Sequence, residues 1–512
     1  MTRLRWPLLV LLLLSGCGGP PPSEDVLRLG IANSARNLDP RRATDATSDR
    51  VNRLLYQRLV EFDARSLPMP SLATWERLTP THYRFTLREG RRPFSDGEPL
   101  DAADVAATFA SILAPGSPSP HREVLSLIRS VEARGRDRIE FHLAEADPLF
   151  PAYLGIGILP AERIAAGHRF ERQPIGSGPF RLVDWSTPGR LRLQRRRDGQ
   201  VVELVTVRDP NVRVMKLLRG EIDMLQNDLP PELIGYLRRR GAVRVERRAG
   251  VNVSYLGFNL EDPQTGRLTV RRAIAHGIDP EAILGHLFRD AGRPAAGLFP
   301  PEHWAGATAQ APRHDLAAAR AWLGRAGYGP ERPLELVYKT SSDPFRLRLA
   351  TAIQAQLADV GIALEIRSYD WGTFFGDVQA GRFQLYGLTW VGLRTPDIFR
   401  YAFHSASVPP DGANRGRYRS AVADRLIEAA RGEADLAVQA QLYRQLQAHL
   451  LDELPYVPLW YEDQVFAARD QVRGYRLAPD GALDGLEWVE RMPAAASAAD
   501  SLAWLGQAFG LR

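Results

Sequence analysis

Gly176-Ser177-Gly178 is the segment of this sequence that comes nearest to a catalytic motif. A serine between two glycines occurs in nucleophile elbows, where a sharp strand-to-helix turn presents the hydroxyl group. Here Pro179 follows directly and the strand-to-helix pattern is missing, so we do not expect Ser177 to be a nucleophile. The sequence also contains no phosphate-binding P-loop and no His-Glu-x-x-His zinc motif.

The other chemically capable side chains do not form a catalytic or metal-binding pattern either. Glu221 and Asp223 are closely spaced carboxylates, but they lie in a turn before a strand, where we expect them to be solvated. Asp480 and Asp484 each precede a glycine, which is typical of turns rather than of a calcium loop. The 10 histidines show no ligand-like spacing. We therefore expect no enzyme, no bound metal and no cofactor.

The single cysteine, Cys17, indicates a cellular compartment. Arg3 and Arg5 precede an apolar run that ends at Leu14, and small residues lead from there to the cysteine, which is the layout of an export signal. The run is too short to span a bilayer. The pattern resembles a bacterial lipobox, which implies that residues 1–16 are a signal peptide and that Cys17 is lipidated. An ordinary secretory signal with a chance cysteine is the alternative.

Length and composition limit the remaining possibilities. The formal charge of +6 is small for 512 residues, so no strong field would recruit nucleic acid. A chain this long normally divides into two or three domains, and without a second cysteine they must be stabilised by buried apolar surface. Residues 17–25 are rich in proline and glycine, and we expect them to tether the anchor to a first strand at Val26 to Ile31.

Hydrophobic periodicity predicts a mixed α/β body. Alternating apolar residues indicate strands at Tyr83 to Arg88 and Ile139 to Leu143, and the helix between them begins at Asp101. A second unit has a strand at Leu334 to Tyr338, a helix that ends at Gly361, and another strand. A strand, a helix and a strand in this order favour parallel pairing.

A series of short motifs runs through almost the whole chain in a characteristic order. They include Leu38-Asp39-Pro40, Phe94-Ser95-Asp96-Gly97, Pro174-Ile175-Gly176-Ser177-Gly178-Pro179-Phe180, Gly220-Glu221-Ile222-Asp223, Tyr255-Leu256-Gly257-Phe258-Asn259, Val270-Arg271-Arg272-Ala273-Ile274 and Leu454-Pro455-Tyr456-Val457-Pro458-Leu459. Through these motifs the chain resembles the family 5 solute-binding proteins of ABC importers, the group of the periplasmic dipeptide- and oligopeptide-binding proteins.

The resemblance implies a bilobal periplasmic-binding-protein fold of type II, with an extra domain inserted in lobe one. It places lobe one at residues 26–60, 174–262 and 465–490, the inserted domain at 61–173, lobe two at 263–464, and a C-terminal tail at 491–512. In that tail Leu502, Leu505 and Phe509 have the spacing of a short amphipathic helix.

The same resemblance implies a function. The protein would be a monomeric, membrane-anchored lipoprotein of the periplasm or cell envelope. It would bind a peptide or peptide-like solute between its lobes and deliver that solute to an ABC permease and its ATPase. The alternatives are the same fold with another solute, such as a nickel complex, an oligosaccharide or an opine, and a lipid-anchored sensor or scaffold without a transport role.

Family positions also suggest ligand contacts. The backbone at Thr44, Asp45 and Ala46 would pair with an extended peptide, as in β-augmentation. Tryptophans of lobe two would wall the side-chain pockets, and the hinge segment would bring two further aromatic side chains close. These aromatic residues are Trp371, Trp390, Trp460 and Tyr461.

One position departs from the peptide-binding pattern. In those relatives an aspartate three residues after the equivalent of Trp390 pairs with the peptide's α-ammonium, whereas this chain has Leu393. Because a buried ammonium without a counter-charge is costly, we expect the ligand's termini to be recognised differently. Arg394 adds a cation that would suit an anionic or carboxylate-bearing ligand, unless it is solvated or ion-paired.

Overall fold

The computed structural model describes residues 26–241, 243–289 and 291–492. Cys17, the predicted tether and the apolar residues of the C-terminal tail lie outside these ranges. Within them, no helix is both long and apolar enough to cross a membrane.

Two long antiparallel strands, β12 (Val243–Phe258) and β17 (Tyr456–Arg469), run through a mixed sheet that connects distant parts of the chain. In spatial order its strands are β15 (Ile362–Tyr369), β14 (Leu334–Ser341), β16 (Leu385–Trp390), β12 (Val243–Phe258), β17 (Tyr456–Arg469), β11 (Met224–Gln226), β1 (Val26–Ile31), β10 (Val201–Thr206), β9 (Arg190–Arg195) and β8 (Phe180–Asp184), and β13 (Gly292–Pro294) also pairs with β17. Since β12 and β17 lie in the middle, they connect the strands of both predicted lobes.

The pairing of β12 with β17 has an irregularity between Arg248 and Asn252. Gly250 lies in this interval, and a Cβ atom there would be 2.1 Å from the carbonyl oxygen of Glu462. Only glycine permits this close approach of the two backbones.

A separate four-stranded antiparallel sheet lies within the region predicted as an inserted domain. Its order is β4 (Ala73–Thr79), β5 (His82–Leu87), β7 (Arg138–Leu143) and β6 (Ile128–Arg134). On β7 the side chains alternate, with Ile139, Phe141 and Leu143 buried in a core of their own. Two short pairs complete the strands: β2 (Val60–Phe62) with β3 (Pro68–Pro70), and β18 (Val472–Arg473) with β19 (Glu490–Arg491).

The helices cover the sheets. They are α1 (Ala46–Leu55), α2 (Ala102–Leu113), α3 (Ala161–Ala165), α4 (Pro210–Arg219), α5 (Pro231–Arg240), α6 (Leu268–Gly277), α7 (Pro280–Ile283), α8 (Leu316–Arg325), α9 (Pro344–Ala358), α10 (Trp371–Ala380), α11 (Ile398–Phe403), α12 (Ala421–Gly432) and α13 (Leu436–Glu453). Short 3₁₀ turns occur at Phe150–Leu154 and Asp484–Glu487, and a π-helical turn at Leu284–Phe288. Aspartate side chains cap many of the N-termini, as Asp343 caps α9 through the backbone N–H of Arg346.

Several local predictions are confirmed. β14, α9 and β15 form the predicted parallel unit, and α2 begins with a capping box between Asp101 and Asp104. Gly176 and Gly178, in the motif from Pro174 to Phe180, have a steric explanation. A Cβ on Gly178 would lie 2.4 Å from the carbonyl oxygen of Leu54, so the glycine is needed because the chain passes against the end of α1.

Candidate functional site

Two cavities border the crossing strands β12 and β17 and are lined from both predicted lobes. The larger has a volume of about 950 Å³ and extends from Arg53 on α1 to Arg293 and Arg394 on the lobe-two side. The smaller has a volume of about 490 Å³ and extends from Asn33 to Arg346 on α9. These volumes lie in the range typical of small-molecule pockets.

The larger cavity is lined by charges that are largely paired with one another. Arg53 forms ion pairs with Asp484, with Asp480 at 3.6 Å and with Glu61 at 3.7 Å, while Arg58 also pairs with Glu61. Burial and the neighbouring Arg53 lower the pKa of Arg58. The network balances cations and anions inside a half-enclosed space, where an unpaired charge would be costly.

Arg394 extends this network across the cleft. Its guanidinium pairs with Asp480 and lies 5.3 Å from the ring centre of Phe62. Burial alone would raise the pKa of Asp480, but Arg394 and Arg53 outweigh that effect and lower it to about 2. Asp480 is therefore ionised at neutral pH and connects residues of the two predicted lobes.

His303 fixes the loop that carries Arg394. Its Nε2 donates to the carbonyl oxygen of Arg394 at 2.8 Å, and its Nδ1 accepts the N–H of Ala305 at 3.1 Å. Burial lowers the pKa of His303 to about 4, so the ring is neutral at pH 7. The two hydrogen bonds fit the tautomer with the proton on Nε2.

The smaller cavity is lined by a carboxylate, Glu462, with one oxygen atom that no described hydrogen-bond donor reaches. Glu462 on β17 accepts hydrogen bonds from Ser254 at 2.7 Å and Thr389 at 3.3 Å, and Arg346 lies 3.9 Å away. All three contacts fall on Oε1; among the residues that the structure describes, no hydrogen-bond donor reaches Oε2. A carboxylate oxygen beside a cavity can accept from a cationic ligand group.

Aromatic side chains connect Trp371 and Trp390, the two tryptophans predicted to contact the ligand from lobe two. Trp371 is 59% exposed and stacks on Phe375 at 5.4 Å. The guanidinium of Arg415 lies between the rings of Phe375, at 5.3 Å, and Trp390, at 4.9 Å, and donates to the Tyr255 hydroxyl at 3.2 Å. Arg415 thus links Trp390 to Phe375 through cation–π contacts, and Phe375 in turn stacks on Trp371.

Comparisons with known proteins agree with this architecture. Residues 68–408 match the sequence profile described as bacterial extracellular solute-binding proteins, family 5 middle. The chain belongs to this family. It is 28% identical to di/tripeptide-binding protein 2 of Pseudomonas aeruginosa, over 94% of this chain and 98% of that protein. It is 26% identical to the dipeptide-binding protein of Escherichia coli, over 88% of this chain and 91% of that one.

Solved structures show the same fold. The ABC transporter substrate-binding protein CtaP of Listeria monocytogenes superposes with a TM-score of 0.83 at 21% identity, covering 91% of this chain and 99% of that one. The chain therefore has the fold of the type II periplasmic binding proteins, which confirms the predicted fold class.

The structure places the predicted contact residues of this family 5 protein in different surroundings. Leu393 and Arg394 line the larger cavity, while Trp390 lies between Thr389 and Val391, which line the smaller one. Arg394 is ion-paired, which was the alternative to a free cation awaiting a ligand.

The predicted contact residues Thr44, Asp45 and Ala46, at the start of α1, line neither cavity. Asp45 is the N-cap of α1 and accepts from the backbone N–H and the hydroxyl of Ser48, at 2.9 and 2.6 Å. The Asp45 carboxylate therefore serves as a helix cap. Thr44 and Ala46 are exposed beside it.

Trp460 and Tyr461 are core residues in this structure and do not border the two cavities. Trp460 is 1% exposed and packs on Phe288. The hydroxyl of Tyr461 donates to the carbonyl oxygens of Gly297 and Phe299, both at 2.9 Å. Adjacent residues of a strand point to opposite faces, and here both faces of β17 are covered by apolar cores.

The rejected catalytic candidates also have structural roles. Ser177 is fully buried, and its hydroxyl has no partner among the described residues that could act as a base. Asp223 was expected to be solvated, which is wrong: it is 2% exposed, accepts from the Arg28 N–H and pairs with Arg491, both at 2.8 Å.

Replacing Asp480 tests the pairing across the cleft. Since its pKa is lowered from 3.8 to about 2, the carboxylate contributes about 2 kcal/mol of stability above pH 4, and this is lost as the pH falls toward 2. Asp480→Asn should therefore be less stable than the wild type at pH 6, with the difference shrinking toward pH 2 in urea unfolding. Asp49→Asn, an exposed carboxylate on α1, is the control. A difference that is independent of pH would contradict an ionised, paired Asp480.

Proposed function

We propose that the protein captures a short peptide or peptide-like solute in the cleft between its lobes and delivers it to an ABC permease driven by its ATPase. The supporting observation is that both cavities are lined from both lobes and border the strands β12 and β17. Membership of family 5 supports the transport role, and the names of the dipeptide- and tripeptide-binding relatives support the class of solute.

The crossing strands suit a hinge. Ligand contacts with both lobes stabilise the closed form more than the open one, and the population shifts by that difference in affinity. Two ion pairs already connect opposite sides of the cleft, Arg394 with Asp480 and Arg348 with Glu232 at 3.0 Å. The closed form is then the one that docks on the permease.

The charges around the smaller cavity favour a solute with both an ammonium and a carboxylate. Glu462 supplies an anion, and Arg50, Arg208 and Arg346 supply cations, while Phe345 adds apolar surface. We propose that Glu462 receives the α-ammonium in place of the aspartate that Leu393 replaces. Its Oε2 is the atom suited to this contact.

A binding screen tests the solute class. Purified protein is heated with dipeptides, tripeptides, a nickel–histidine complex, oligosaccharides and opines in parallel. A true ligand at 100 times its Kd adds about 2.7 kcal/mol to the free energy of unfolding, so peptides should raise the Tm clearly. Mass spectrometry of solute retained through native purification identifies the natural ligand independently. Stabilisation by another class alone would contradict the peptide assignment and leave the transport role intact.

Glu462→Gln tests recognition of the ammonium. Loss of the charge should weaken dipeptide binding at least tenfold by calorimetry, because a charge-assisted hydrogen bond in a cleft contributes about 1.5–3 kcal/mol. N-acetylation of the dipeptide should weaken binding to the wild type and have little further effect on the variant.

Asp463→Asn is the matched control. This neighbouring carboxylate also borders the smaller cavity but is held by Arg247 at 2.8 Å, so its replacement should spare the discrimination between free and acetylated peptides. Equal binding of both peptides by the wild type would refute the role of Glu462.

We also propose that the protein acts as a monomer in the periplasm, attached to a membrane by a lipid on Cys17. The apolar run and small residues before this cysteine support lipidation. Cells fed labelled palmitate should label the wild type, whereas Cys17→Ser should remain unlabelled and partition into the soluble fraction. Retention of the label in the variant would exclude Cys17 as the anchor.

A further inference from the structure

Two histidines that are far apart in the sequence lie side by side on the outer face of the four-stranded sheet. His82 on β5 is directly opposite His142 on β7, and their rings stack with centres 4.1 Å apart. Tyr83 and Phe141, the adjacent residues, point into the core on the other face. The two imidazoles are thus held by paired backbones rather than by mobile loops.

A carboxylate completes the cluster. Glu140 is two residues before His142 and therefore projects from the same face of β7. One ligand atom from each of His82, Glu140 and His142 can be chosen so that all lie within 4.8 Å of one another. The Nε2 of His82 is 3.5 Å from Oε2 of Glu140, is buried, and makes no hydrogen bond with any residue that the structure describes.

The arginines around Glu140 leave one carboxylate oxygen available. Arg84 donates to Oε1 through Nε at 3.3 Å and Nη2 at 3.2 Å, which orients the carboxylate. Arg134 approaches Oε2 only to 3.6 Å, is about half exposed, and pairs with Glu132 at 2.6 Å. Binding a cation at Oε2 therefore requires displacement of one loosely held side chain.

We propose that His82, Glu140 and His142 form a binding site for a divalent transition-metal cation of the zinc class. Two imidazole nitrogens and one carboxylate oxygen suit this class, with metal–ligand distances of about 2.0–2.2 Å. Small side-chain rotations bring the three atoms onto one ion. The fourth position is open to water or to Glu132, which pairs with Glu140 across β6 and β7.

The site is separate from the solute cleft. None of its three residues lines either cavity, so cation binding and solute binding can be measured independently. The cation would cross-link β5 and β7 in the inserted region.

Calorimetry with zinc chloride on tag-free, chelator-treated protein tests the site. The wild type should bind one equivalent, and His82→Gln, His142→Gln and Glu140→Gln should each weaken binding at least tenfold. Glu76→Gln, a carboxylate that also pairs with Arg84, and His286→Gln, an exposed histidine elsewhere, are matched controls that should bind like the wild type. Unchanged binding in both cluster histidine variants would overturn the proposal.

Copper in place of zinc gives a readout that does not depend on the variants folding. Electron paramagnetic resonance of the wild type with one equivalent of Cu²⁺ should show hyperfine coupling to two imidazole nitrogens, and a dipeptide should leave the spectrum unchanged. A spectrum with no nitrogen coupling, or absence of any bound metal, would show that the cluster is an ion-paired surface only.

Discussion

The antiparallel pairing of β12 with β17 is the constraint on which the rest of the structure depends. These strands form the middle of the large sheet and run between β11 on one side and β16 on the other. The register shifts around Gly250, where a Cβ atom would collide with the carbonyl oxygen of Glu462. Both cavities border this place, so the same short segment contributes to the lining of each.

Charge compensation is the second organising principle. Asp480 is shared by Arg53 from α1 and Arg394 from lobe two, and the neutral His303 holds the Arg394 loop through its backbone. Arg53, Arg394 and Asp480, which line the larger cavity, are already paired with one another. Glu462 differs, since its contacts with the described residues all fall on one carboxylate oxygen. The proposed selectivity for a cationic group therefore rests on the smaller cavity.

Local structure could be predicted from the sequence because its determinants are local. The β14–α9–β15 unit follows from apolar periodicity and Gly361, and α2 from its capping residues. Contacts between residues that are far apart in the sequence produce no such local pattern. Nothing near Arg394 in the chain indicates Asp480, and Asp223 gave no sign that Arg491 would cover it. His82 and His142 were missed for the same reason, although the Glu140-x-His142 spacing on one strand was a usable signal.

The strength of the Arg394–Asp480 ion pair limits how far it could stabilise a closed arrangement of the predicted lobes. The lowered pKa of Asp480 corresponds to about 2 kcal/mol of stabilisation of its ionised form in the folded protein. Arg53, on the same side of the cleft, accounts for part of this stabilisation. Moving a two-state equilibrium from 1:99 to 99:1 requires about 5.5 kcal/mol. In the proposed closure, the Arg394–Asp480 pair would therefore favour contact between the predicted lobes without fixing it. The larger share would come from the proposed solute, whose contacts with both predicted lobes would couple closure to binding.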